Sequence, residues 1–195
     1  QVVQGYLELM EEHDLSDQVS TYLEKAKKSS LAGIDLIEKV RTLREAQEED
    51  LETVDVSPMI EEAMDSCKSL AEGMDVQINL SCSFDGCEVK AGPLLSEVFS
   101  NILENSLAHS DGNKIRITSK EKNNEIIFSV EDDGKGIPDD KKEQIFQKGY
   151  TTDEGGGSGL GLFLVKVLLE NYEGEIVVKD SELGGARFDI CLQKP

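Results

Sequence analysis

No stretch of this 195-residue sequence reaches the roughly 18 apolar residues needed to span a bilayer. Basic side chains are scarce: 20 Lys and Arg stand against 40 Asp and Glu, a net charge of −20. Nucleic acid and anionic membrane surfaces both demand clustered Lys and Arg, so neither is an expected partner. Nucleotide phosphates stay open as ligands, because backbone N–H groups and a metal can hold them without basic side chains. With 2 His and 4 Cys, none in a CxxC pair, zinc is not expected. Cys67, Cys82, Cys87 and Cys191 read as free thiols of a reducing cytoplasm, with a Cys82–Cys87 bridge as the alternative. No signal peptide is visible, and the sequence starts at Gln1 in mid-pattern, as a fragment would.

What remains is an ordinary globular composition. AVILMFWYC residues make up 38%, and adding glycine brings the apolar share to about 47%. The length suits one domain of usual size plus something smaller. Residues 1–50 read as helix, break, helix. Val3, Tyr6, Leu7 and Met10 are spaced three and four apart, and Ser16 or Asp17 can cap a second helix from Gln18 to about Glu49. In that helix Val19, Leu23, Ala26, Ser30, Gly33, Ile37, Val40 and Arg44 keep a 4-3-4-3 rhythm. Two such helices bury little alone, and pairing with a second copy into a four-helix bundle is the expected remedy; packing on the following domain is the alternative.

After a solvated hinge at Gln47–Asp50 the pattern changes. Strands are expected at 53–56, 76–80, 115–118, 126–130, 176–178 and 187–192, with helices at about 57–72, 91–109, 139–146 and 159–172. Interleaved in this way, they predict a sheet covered by helices on one face.

Three stretches carry chemistry. In the 91–109 helix, Glu97, Asn101, Asn105 and His109 recur every four residues beside an apolar face of Leu95, Val98, Ile102 and Leu103. Asparagine is a modest helix former. Two of them one turn apart are either exposed accidents or neutral oxygen donors that complete a magnesium shell on a phosphate. Second, a strand runs into Glu131-Asp132-Asp133-Gly134-Lys135-Gly136-Ile137-Pro138. Its glycines permit close backbone approach to a flat ligand, and an Asp there can accept from an exocyclic amine such as adenine's; an ordinary Asp-Gly turn is the alternative. Third, Gly155-Gly156-Gly157-Ser158-Gly159-Leu160-Gly161 enters an apolar helix, whose N-terminus is an anion site. It is neither a Walker A loop nor a dinucleotide fingerprint. The polar segment 139–157 before it has the composition of a mobile lid.

In this order, Asn101–Asn105, Asp132–Pro138, Ile145-Phe146 and Gly157–Leu162 resemble the N, G1, F and G2 boxes of sensor histidine kinases, in the ATPase superfamily they share with gyrase and a heat-shock chaperone. The resemblance implies an α+β fold. It implies a helical hairpin at 1–50 that dimerises into a four-helix bundle and is truncated at its N-terminus. An α/β-sandwich, Bergerat-type ATP-binding domain follows at 51–195. It implies ATP and Mg²⁺ as cofactors, with Asn105 on the metal and Asn101 beside it. Asp132 would take the adenine amine, with Gly134, Gly136 and Ile137 along the base. Gly157, Ser158, Gly159, Leu160 and Gly161 would face the triphosphate, with His109 as a further nucleotide contact. Lys148 matches a position where a basic residue often reaches the γ-phosphate; a solvated surface lysine is the alternative.

The implied activity is transfer of the γ-phosphoryl group to a histidine, then to an Asp of a response regulator, by a homodimer without membrane contact of its own. Hydrolases of the superfamily commonly carry Glu where Asn101 stands, and Asn is no general base, which favours transfer over hydrolysis. A non-catalytic nucleotide-binding scaffold, an ATP hydrolase and a serine kinase remain the alternatives. Three departures stand out. Ala108 replaces a frequent Lys, and Gly149 replaces a frequent aromatic. His13, the only His in the hairpin, falls in the turn rather than on the first helix, so the acceptor is expected upstream of Gln1, with His13 as the minority choice.

Overall fold

The computed structural model describes residues 2–11, 15–46, 48–81, 86–109, 111–151 and 158–195. His13, Cys82 and the glycines Gly155, Gly156 and Gly157 lie outside them. Helices α1 (Val2–Glu11) and α2 (Asp17–Glu45) form the hairpin. Ser16 takes the extended N-cap conformation, and its carbonyl accepts from the Ser20 amide at 3.0 Å. Along these helices Leu23 is buried, but Val3, Tyr6, Val19, Ile37 and Val40 are exposed, Ile37 by 70%. The apolar rhythm therefore has no partner within the described residues of one chain. No helix among them is long and apolar enough to cross a membrane.

Helix α2 stops at Glu45, four residues short of expectation, and the following segment is anchored rather than solvated. Ala46 is buried, and its carbonyl accepts from Asn171 Nδ2 at 2.7 Å. Glu49 accepts from the Leu94 amide through Oε1 and from the Tyr172 hydroxyl through Oε2, both at 2.7 Å. A Cβ on Gly92 would sit 2.1 Å from Glu49 Cδ, so the carboxylate reaches its partners only past a glycine. Burial, together with the Glu49 bond, raises the Tyr172 phenol far above its ordinary range.

Strand β1 (Glu52–Asp55) pairs antiparallel with β3 (Glu88–Ala91), Val54 opposite Val89. Between them α3 (Val56–Gly73) is capped by Asp55, whose side chain accepts from the Ser57 amide at 3.0 Å. Strand β3 was not expected: Val89 and Ala91 alone are too short an alternation to register. The remaining strands are β2 (Gln77–Leu80), β4 (Lys114–Lys122), β5 (Glu125–Asp132), β6 (Glu175–Asp180) and β7 (Ala186–Gln193). They form one sheet in the order β2-β4-β5-β7-β6, with β2 and β4 parallel and the other neighbours antiparallel. Helices α3, α4 (Leu95–His109) and α5 (Gly161–Asn171) supply the buried layer against Ile115, Phe128, Val130, Phe188 and Ile190. Phe99 of α4 meets Phe128 edge to face, centroids 5.7 Å apart.

The expected helix at 139–146 is instead a series of turns ending in a 3₁₀ turn, Gln144–Phe146. Only Ile145 and Phe146 are buried there, too few apolar anchors to offset helix nucleation.

The sheet's other face carries charge. Asp189 is 3% exposed and accepts from Ser129 Oγ (2.6 Å), Arg187 Nε (2.6 Å) and Lys179 Nζ (2.8 Å). Burial pushes its carboxyl up, but these three donors outweigh burial and hold it below the usual range. That stabilisation is complete above the unfolded value near pH ~3.9 and disappears as pH falls through the lower folded one. Asp189→Asn should cost about 1–3 kcal/mol at neutral pH, with the gap to wild type closing in acid. Denaturant titrations at neutral and acid pH would check this, and a gap independent of pH would refute it.

Candidate functional site

The apolar face of α4 fixes what its other face does. Val98, Phe99, Ile102 and Leu103 are fully buried, which turns Asn101, Asn105 and His109 toward a cavity of about 690 Å³. Glu97, expected in the same row, stays out of the cavity wall; its carbonyl accepts from Asn101 Nδ2 at 2.7 Å. The Oδ1 of Asn101, a residue only 5% exposed, is buried without a hydrogen-bond partner among the described residues. Such an orphaned acceptor is costly unless a ligand or ion completes it.

Asp132, the last residue of β5 and 4% exposed, also lines the cavity. Its Oδ1 accepts from the Gly134 amide at 3.0 Å and the Ala186 amide at 3.1 Å. Burial raises its carboxyl above the ordinary value, with Asp133 adding to that; the two amides and the neighbouring Ser106 hydroxyl oppose it without prevailing. Sequence reading missed Gly185 here. A Cβ on it would lie 2.0 Å from Asp132 Oδ1 and 2.5 Å from the Gly134 nitrogen. Gly136 has φ +69° and faces the Gly185 carbonyl, so two glycine-containing segments meet here. Ile137, Pro138, Ile145 and Tyr150 complete an apolar wall.

The third side is the start of α5. Leu160 occupies its N-cap without a side-chain hydrogen bond, so no side chain of that residue competes for the first-turn amides. Gly161 packs so closely that a Cβ would meet Asn101 Oδ1 at 2.8 Å. Gly159 has φ +63°, Gly149 has φ +79°, and the Gly149 amide donates to the Gly159 carbonyl at 3.0 Å. The left-handed φ accounts for glycine at 149, and the aromatic wall comes from Tyr150 instead.

Of the residues singled out from sequence, the cavity wall includes Asn101, Asn105, His109, Asp132, Gly136, Ile137, Ser158, Gly159 and Gly161. Gly134 acts one step back, through its amide on Asp132; Leu160 is buried behind the loop. Lys148 is exposed and is not part of the wall, and Gly157 is outside the described residues. Asp35 and Lys39 of α2 do belong to the wall, which no local pattern in the sequence suggested.

Residues 91–195 match the family model described as histidine kinase-, DNA gyrase B- and HSP90-like ATPase. The sensor protein CitS of Halalkalibacterium halodurans is 35% identical over 128 residues, 63% of this chain and 24% of that protein. The sensor protein PhoQ of Escherichia coli K12 is 29% identical over 179 residues, 91% of this chain and 34% of that protein. The chain thus spans about a quarter to a third of the curated relatives it matches. Among solved structures, full-length ShkA in complex with AMPPNP superposes with a TM-score of 0.72 over 99% of this chain and 43% of that one. At 22% identity this likeness is one of fold.

Proposed function

We propose that this chain, which belongs to the histidine kinase-, DNA gyrase B- and HSP90-like ATPase family, binds ATP with Mg²⁺ and passes the γ-phosphoryl group to a histidine for relay to a response-regulator Asp. One observation supports it above the others. A buried carboxylate, two asparagines and a helix N-terminus line a single cavity. Asp132 would accept from the adenine amine while Gly136 and Gly185 let the chain pass the ring. The α5 amides would face the triphosphate. The orphaned Asn101 oxygen, with Asn105 one turn away, fits a hard cation already carrying phosphate oxygens; Mg²⁺ bound there would neutralise phosphate charge. Neither asparagine can take a proton from water, so these residues position and hold the nucleotide rather than activate a hydrolytic water.

Residues 1–50 serve in this reading as a dimerising hairpin, and 51–195 as the catalytic domain. The exposed stripe of Val19, Ile37 and Val40 would be covered by a second copy. Ile37→Asp should then convert a dimer into a monomer by light scattering without unfolding the ATP-binding domain; a dimer unaffected by the change would refute this seam. In this reading the acceptor histidine is expected on the first hairpin helix, upstream of Gln1, with His13 as the alternative.

With Mg²⁺ and γ-labelled ATP, the 195-residue protein should bind nucleotide yet take up no acid-labile, base-stable label. A longer form that carries a histidine upstream of Gln1 should take it up. Label on His13 would overturn the hairpin register, and failure to bind ATP would overturn the whole reading.

A further inference from the structure

Lys39 lies on α2, outside the residues matched to the ATPase family, yet it forms part of the cavity wall. Its side chain is only 17% exposed, unusual for a lysine, and its Nζ pairs with Asp35 at 2.7 Å. Asp35 in turn accepts from Ser158 Oγ at 3.0 Å. This chain of contacts brings α2 against the loop that leads into α5. The ammonium group itself sits over the start of α5: a Cβ placed on Gly161 would be 3.7 Å from Lys39 Nζ and 2.8 Å from Asn101 Oδ1. A half-buried cation and a buried, unpartnered oxygen therefore flank one point at a helix N-terminus.

The charges around that point favour an incoming anion only if Lys39 is counted. Asp35 and Glu104 also line this side of the cavity, and Ala108 contributes no charge. The two other lysines of the wall, Lys135 and Lys141, belong to the segment that follows Asp132. Glu97 and Glu104 are raised by burial, and Lys39 draws both back down. Glu62 and Glu38 add like charge to Glu97, and Asp35 adds it to Glu104. Lys39 is the lysine of the wall whose ammonium group stands beside the first residue of α5, where it can offset phosphate charge.

We propose that Lys39 is a phosphate ligand of this nucleotide site, supplied from the hairpin, so that the phosphate end is complete only when the domain is docked on α2. The proposal rests on the ATP reading above. On nucleotide entry the Nζ would exchange part of its pairing with Asp35 for phosphate oxygens, a redistribution of hydrogen bonds with no covalent step. Asp35 is then a competitor for Lys39, which gives the two residues opposite signs.

The test measures ATP (with Mg²⁺) and adenosine affinities calorimetrically on the full 195-residue chain, with thermal midpoints as a check on folding. Lys39→Gln should weaken ATP by at least about tenfold, as expected for loss of a charge-assisted hydrogen bond, and leave adenosine unchanged; Lys39→Arg should retain most of the affinity. Asp35→Asn keeps an acceptor for Ser158 but releases Lys39, and should tighten ATP. Equal loss of ATP and adenosine in Lys39→Gln would mean that Lys39 acts through the fold, overturning the proposal. So would unchanged ATP affinity, or a loss in Asp35→Asn matching that of Lys39→Gln, as a purely structural ion pair requires. If wild type binds neither ATP nor adenosine, the nucleotide reading itself fails and this inference falls with it.

Discussion

Asp132→Asn should weaken ATP binding by roughly 1–3 kcal/mol, about five- to 150-fold, and should weaken ADP and adenosine by the same factor. The amide fits the same space, and the Gly134 and Ala186 amides still need an acceptor. Asn therefore keeps its oxygen on them and turns its NH₂ toward the cavity. A donor would then face the donor on adenine. The apo protein should behave in the opposite way. Burial raises the Asp132 carboxyl, so the ionised group is disfavoured by folding and the cost is present above its raised value. The neutral amide removes that cost, and the thermal midpoint at neutral pH should not fall. In wild type, nucleotide affinity should decline as pH drops through the raised value, because the acceptor becomes a carboxylic acid. Unchanged affinity in the variant, by isothermal calorimetry, would refute Asp132 as the amine acceptor.

Gly185→Ala should be still more damaging, and Gly184→Ala supplies its control. A methyl at 185 would lie 2.0 Å from Asp132 Oδ1, 2.5 Å from the Gly134 nitrogen and 2.7 Å from the Asp132 carbonyl. Two of these are backbone atoms, and the third is held by two amides, so nothing nearby can yield cheaply. Overpacking of this kind costs about 1–3 kcal/mol of stability, and it displaces the one side chain on which base recognition depends. Loss of both stability and nucleotide affinity is expected. Gly184 has φ +113° with open space around its missing Cβ. Alanine there should strain the backbone by about 1–2 kcal/mol while leaving Asp132 in place, so stability falls and affinity holds. If both variants lose affinity alike, crowding at Asp132 is not the cause.

Much of the domain was legible in sequence. The helical rhythm of 91–109 placed Asn101 and Asn105 on one face and the apolar residues on the other, as found in α4. Strand alternation located every strand of the five-stranded sheet, although β4 extends to Lys122 because its pairing with β5 continues past its apolar residues. The illegible parts share a cause. Strand β3 is short and stands only because β1 pairs with it. The turns at 139–146 have helical composition but bury just Ile145 and Phe146. Lys148 carries a suitable charge for the phosphates but is exposed and outside the cavity wall.

By itself the sequence determined the hairpin, the sheet with helices on one face, and the asparagines, aspartate and glycines that face the cavity, since these follow from periodicity, capping and glycine spacing within short windows. Tertiary structure alone decided that Gly185 crowds Asp132, that Glu49 ties the segment after α2 to Tyr172, and that Lys39 reaches the start of α5. Those relations join residues that are distant along the chain, and local periodicity carries no information about which distant side chains will share a desolvated space. Burial and hydrogen-bond satisfaction decide that, and both exist only once the chain has packed.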